Sequence, residues 1–203
     1  MAFLPSSEPD VEVTREDVAG WCDVEGYNLL HMAYENPKRW SHLLQTHVQL
    51  SLAKGHARGV SDGSKVKLME RSIHSARYCF LENQYRCGRL RKAEYLVVCE
   101  WYRQLTALTD CQADLVVYLR TDPHTCLARV VGRGRPEEAG LTLGFLADLH
   151  QLHEDWLVGG RFPAYGPVIT LDASVDLPAM LQEYQTLGDT LGGTRKGGGG
   201  QDR

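Results

Sequence analysis

The stretch LMERSIHSARYCFLEN, residues 68–83, constrains the fold more than any other part of the chain. Val66 to Met69 reads as a short strand, which ends in a carboxylate, Glu70, and a guanidinium, Arg71. Ser72 then stands where a helix N-cap is wanted, and Ile73, Ala76, Phe80 and Gln84 recur at three- and four-residue steps behind it. A strand that runs straight into a capped helix is the first half of a βα unit, and such a junction is well placed for phosphate chemistry. Taken alone, the Glu70-Arg71 pair reads equally well as a surface ion pair, a common feature worth little.

The rest of the chain repeats the same grammar. Val11 to Val13 with Thr14 is β-rich. In NPKRWSHLLQTHVQLSLAKGH, the apolar positions Trp40, Leu43, Leu44, Val48 and Leu52 follow a helical period from Pro37, a first-turn residue, and Gln45 shares a face with Val48 and Leu52. Residues 59–65 carry two Gly, two Ser and an Asp, a loop before the next strand. Leu115 to Leu119 reads as a buried strand, with Thr121, Asp122 and Pro123 opening a helix after it. An amphipathic helix is expected from Leu143 to Val158, with Leu146, Leu149, His153 and Trp156 on one stripe, and a last strand from Val168 to Leu171. Strands separated by helices give an α/β fold. The domain is expected over residues 1–187, followed by a Gly-rich tail, 188–203, with no apolar face to dock.

Composition narrows the function classes. A chain of 203 residues with net charge −4 has no basic stripe for duplex nucleic acid, and no apolar run is long enough to span a membrane. The opening MAFLPSSEPD has neither a basic n-region nor an apolar core, and no Arg, so it resembles neither a secretory signal nor a transit peptide. Six cysteines without a C-x-x-C pair fit buried thiols of a reducing compartment. His150, His153, Glu154 and Asp155 have metal-ligand spacing, but His153 falls on the apolar stripe.

With these residues in view, the chain resembles the deoxyribonucleoside kinase family, on the branch of its mitochondrial and insect multisubstrate members. The likeness runs from about Val13 to Asp172 and includes the 68–83 junction, ADLVVYLRTDP and LHQLHEDWL. It implies a P-loop-kinase-like parallel sheet flanked by helices, and transfer of the γ-phosphate of ATP, with Mg²⁺, to the 5′-hydroxyl of a pyrimidine deoxynucleoside. It also implies a homodimer and a mitochondrial location, otherwise a cytoplasmic one. By resemblance, Glu16 takes the place of the general base and Arg71 that of the arginine near the 5′-oxygen, while Glu70 is the carboxylate associated with magnesium. Trp21, Leu30 and Val48 line the sugar and base pocket, Gln45 hydrogen-bonds the base edge, and Phe80 stacks on the base. Tyr34 and Glu138 hold the sugar 3′-hydroxyl. Arg129, Arg133 and Arg135 form the arginine-rich lid, in which one further expected arginine is Val131. Leu52 and Ala76 stand where deoxycytidine-preferring relatives carry Arg and Asp, which leaves room for a thymine methyl, although two plain core positions would carry the same residue types. In the family the 150–155 motif is structural.

The resemblance breaks in two places. No G-x-x-x-x-G-K-[ST] occurs, so the expectation is an N-terminally incomplete kinase lacking the first strand and its phosphate loop, destabilised by the loss of a central strand. The alternative is a catalytically dead, nucleoside-binding or dimer-forming regulator. Around the base, the family's T-E-P-V reads R-E-D-V at Arg15 to Val18: Asp17 would raise the pKa of Glu16 and Arg15 would oppose it.

Overall fold

A computed structural model of the chain describes residues 11–60 and 64–175, together with 178, 180 and 182. The glycine-rich tail, expected at 188–203, lies outside the described residues. The architecture is α/β, with short parallel sheets flanked by helices. Strand β1 (Val11–Thr14) pairs in parallel with β2 (Val66–Met69), Val11 opposite Val66 and Thr14 opposite Met69. Strand β3 (Val116–Arg120) pairs in parallel with β4 (Val168–Asp172), Val116 opposite Val168. The single sheet that the resemblance implied is therefore two separate two-stranded sheets among the described residues. The two pairs have not closed up into one sheet.

This arrangement corrects the expectation for Leu115 to Leu119. The strand starts one residue later, only Tyr118 on it is buried, and Leu119 is 44% exposed. An apolar run signals burial only when neighbours cover both faces, and β3 has a single strand beside it among the described residues.

The helices carry the core. After α1 (Val18–Cys22) and α2 (Leu29–Glu35) comes α3 (Pro37–Ala57), which starts on Pro37 with Asn36 as its cap. Its far end is fastened by Lys67 of β2, whose ammonium donates to the carbonyls of Gly55 at 2.7 Å and His56 at 3.1 Å, and to that of Arg58. A cation on the last carbonyls of a helix answers both the unpaired acceptors and the dipole. Ser72 caps α4 (Ile73–Ser75) in a reciprocal box with Ser75. The helix continues as a π-turn over Ala76–Leu81 and then as α5 (Glu82–Arg86). After α6 (Lys92–Leu108) and α7 (Pro123–Arg133) comes a 3₁₀ turn at Pro136–Glu138, followed by α8 (Leu143–His153). A second π-turn, Glu154–Val158, occupies the end of the helix that periodicity extends to Val158. Trp21, Leu44, Val48, Leu52, Ile73 and Ala76 belong to one buried cluster, and Tyr78, Cys79, Leu149, Leu152 and Trp156 to another.

His74 joins these parts. Its Nε2–H donates to the carbonyl of Cys111 at 2.9 Å, which leaves Nδ1 to accept from the Tyr102 hydroxyl at 2.8 Å. Its ring stacks on Tyr165 at 3.8 Å, next to Gly166, where an added Cβ would collide with the carbonyl of Ala113. That close approach brings the starts of β3 and β4 together through Ala113 N–H to the Tyr165 carbonyl, 3.0 Å.

Burial also sets the acid response. His56, beside His74 and Lys67, is pushed down to about 4, mainly by burial. As the unfolded chain protonates it near 6.5, the native state loses stability as pH falls from there toward about 4. We expect the unfolding temperature of His56→Gln to change less than that of the wild type between about pH 7 and about pH 5; equal slopes in thermal denaturation would refute this.

Candidate active site

The site gathers at the carboxyl ends of β1 and β2, where chain direction in a parallel pair brings loops together. Glu16 lies two residues beyond β1 and Arg71 two beyond β2, and the Arg71 guanidinium donates through Nη1 to Glu16 Oε1. The Glu16 side chain is 12% exposed and that of Arg71 25%, so the pair is largely screened from water. Burial is the main cause that raises the Glu16 carboxyl above its ordinary value; the Arg71 charge opposes it and Glu70 adds to it. The two neighbours weighed from the sequence are not among the causes. Asp17 turns away to cap α1, accepting from Gly20 N–H at 3.0 Å.

Arg71 takes a left-handed backbone, φ 63°, rare for a residue with a long side chain and frequent at working sites. The turn lets the chain leave β2 and start the Ser72 cap while the guanidinium stays beside Glu16. The same guanidinium lies over the Phe80 ring, 3.6 Å from its centroid. Phe80, expected to stack on a base, therefore has one face covered by Arg71. His153 meets Phe80 edge-on at 6.3 Å and stacks on Tyr118 of β3 at 6.0 Å. This column ties β3 to Arg71, and the sequence offered no sign of it beyond the position of His153 on the apolar stripe.

Most of the residues assigned to the base are together, but Phe80 is not among them: it packs against the second buried cluster, with Tyr78, Leu149 and Trp156. Trp21, Val48, Leu52 and Ala76 share the main buried cluster, against which Leu30 packs half-buried. The Trp21 indole N–H donates to Ser51 Oγ at 2.9 Å, a contact the sequence reading missed, since Ser51 carries no signal beyond its place next to Leu52. Gln45 is buried, and its Oε1 has no hydrogen-bond partner among the described residues. An orphaned amide oxygen costs free energy until a donor reaches it, as a base edge would.

Tyr34 and Glu138 also come together: burial raises the Tyr34 hydroxyl, and the Glu138 charge adds to it. Glu138 is itself buried and takes Arg133 Nε at 3.2 Å and Arg135 Nη1 at 3.2 Å. Glu137, which sequence reasoning passed over, accepts from Asn28 Nδ2 at 3.3 Å; Asn28 in turn caps α2, so this bond ties the 3₁₀ turn to the helix of Tyr34. Arg129 does not join the other two lid arginines and donates to the Val175 carbonyl at 3.3 Å. Val131 is 73% exposed.

For a metal, the geometry offers Glu70 beside Glu16. No group of three potential ligands occurs among the described residues, but Mg²⁺ is commonly held by one or two carboxylates plus substrate phosphates, and Glu70 alone, with Glu16 engaged by Arg71, fits the smaller of these. The 150–155 groups are engaged otherwise. His153 Nδ1 bonds the Leu149 carbonyl, His150 Nδ1 that of Thr121, Glu154 accepts from Tyr118 and Arg120, and Asp155 from Gln151 and Arg161.

Comparison with known proteins places the chain in a family. The family model for deoxynucleoside kinase matches residues 3–190. Human "Thymidine kinase 2, mitochondrial" is 42% identical over 187 residues, covering 92% of this chain and 70% of that protein. "Deoxycytidine kinase 1" of Xenopus laevis is 30% identical, covering 91% of this chain and 80% of its own, and "Deoxycytidine kinase 2" of Gallus gallus is 33% identical, covering 76% and 67%. The likeness covers the ends of β1 and β2 where Glu16 and Arg71 pair, and the chain belongs to the deoxynucleoside kinase family.

Proposed function

We propose that the chain carries the nucleoside side of a site that transfers the γ-phosphate of ATP to the 5′-hydroxyl of thymidine or deoxycytidine, in salvage of DNA precursors, while its sequence holds no G-x-x-x-x-G-K-[ST] phosphate loop. The observation that carries this is the Glu16–Arg71 pair. A carboxyl raised by burial is a better proton acceptor near neutral pH than a solvated one, and its neighbour is the cation that would hold the 5′-oxygen. Gln45 would meet the base edge, with Trp21, Leu30 and Val48 around it. Tyr34 and Glu138 would take the 3′-hydroxyl. The lid arginines would meet charge developing on the phosphoryl group. Glu70 would hold Mg²⁺, which supplies charge neutralisation between the donor phosphates. The likeness to the human mitochondrial thymidine kinase 2 supports a mitochondrial location.

The apolar pair Leu52 and Ala76, 5% and 0% exposed, supports acceptance of thymine. A second copy of the chain is the expected partner: Leu96, Val97, Trp101 and Leu108 are exposed on α6. Such a patch is more than scattered apolar exposure requires.

Four outcomes are expected. In labelled γ-phosphate transfer to thymidine, Glu16→Gln loses about 10² to 10⁴ in turnover while thymidine binding persists. Wild-type turnover falls as pH drops through the raised Glu16 value, because only the carboxylate accepts the proton. Folded wild type that binds thymidine without transfer would instead favour the nucleoside-binding regulator. Leu52→Arg combined with Ala76→Asp lowers the preference for thymidine over deoxycytidine about tenfold or more, read as the ratio of kcat/KM values; an unchanged ratio removes the assignment of these two positions. Finally, Trp101→Glu converts a dimer to monomer in sedimentation velocity, and a wild type that sediments as a monomer at all concentrations refutes the dimer.

A further inference from the structure

We propose that Glu138 is an internal latch on the lid: in the ligand-free chain its carboxylate occupies Arg133 and Arg135, and a nucleoside and a phosphate-bearing ligand must release it together. The proposal rests on the kinase reading above and adds to it a coupling between the two halves of the site.

The geometry is that of a filled anion site. Glu138 presents Oε2 to Arg133, whose Nε lies at 3.2 Å with Nη2 on the same oxygen, and Oε1 to Arg135 Nη1 at 3.2 Å. Both oxygens are therefore taken by guanidinium groups. The carboxylate is 9% exposed as a residue, whereas the arginine side chains are 33% and 37% exposed, so the cations reach inward to a buried anion. Gly134 makes this possible: it ends α7 in the left-handed conformation, φ 64°, and turns the chain between the two arginines.

The consequence is competition. A sugar hydroxyl that donates to Glu138 displaces a guanidinium from it, and a polyphosphate that takes the guanidinium groups leaves the carboxylate open to the hydroxyl. Glu137, bonded to Asn28, keeps the turn against α2 while the arginines leave, so the carboxylate stays beside Tyr34. Each ligand then strengthens the binding of the other, by the same factor in both directions.

The test uses the whole chain, with inorganic tripolyphosphate as the anionic probe, titrated by calorimetry with and without thymidine. Glu138→Gln keeps the shape and removes the charge. It is expected to bind tripolyphosphate about tenfold tighter than the wild type and thymidine more weakly. In the wild type, saturating thymidine tightens tripolyphosphate binding severalfold, and 3′-deoxythymidine, which lacks the hydroxyl, does not. A Glu138→Gln protein that binds tripolyphosphate no tighter overturns the latch, as does equal tightening by the two nucleosides. If that variant does not fold, Arg135→Ala tests the latch from the other side: thymidine should bind more tightly and tripolyphosphate more weakly, and weaker thymidine binding overturns it. Absence of thymidine binding by the wild type would refute the kinase reading, while the tripolyphosphate comparison of Glu138→Gln with wild type still decides the latch.

Discussion

The contact between Arg71 and Glu16 is the constraint on which the site depends. One guanidinium closes the ends of two neighbouring strands, covers a face of Phe80 and moderates a buried carboxyl, from a backbone position that costs conformational energy. The surroundings hold it there. The Ser72 box starts the helix at once behind it, and Phe80, His153 and Tyr118 brace it from the side of β3. Arg71 Nε is buried without a partner among the described residues, which again marks the position as one kept for a purpose other than stability.

The fold and the site share a division of labour. The strands are short and supply direction, whereas the helices supply the core: of the residues in the three buried clusters, none lies on a strand. Gln45, Val48 and Leu52 lie on α3 and Ala76 and Phe80 on the π-turn after α4, whereas Glu16 and Arg71 lie at loop ends. The π-turn carries both Ala76 and Phe80, in line with the tendency of such turns to occur at working sites.

Much of this was legible in the residues. β1, β2, the start of α3 at Pro37 and the Ser72 cap follow from local chemistry, and their bounds agree with the structure because nothing distant competes there. Gln45, Val48 and Leu52 share the buried face that their spacing required. The family resemblance supplied their roles, which spacing alone could not. The misses have physical causes. The burial of Leu119 depends on which strands flank β3, and no local pattern carries that information. Hydrophobic period does not distinguish an α-turn from a π-turn one residue wider, so both π-turns were invisible. Lys67 reads as an ordinary polar residue of a half-buried strand, and only the fold reveals three carbonyls around its ammonium. Arg129 has the same local character as Arg133 and Arg135, yet it lies a turn before Arg133 on α7 and finds the Val175 carbonyl rather than the Glu138 carboxylate.

The two separate strand pairs have a consequence for how the molecule behaves in company. Among the described residues every strand has one paired edge and one open edge, and Val66 and Leu119 expose apolar surface along them. An open edge is a template for another backbone, and proteins ordinarily blunt it with charge or cover. Here the blunting is partial: Lys67 on β2 is committed to the end of α3, and Arg120 on β3 is committed to Glu154. The open edges among the described residues are therefore where this chain would meet another backbone.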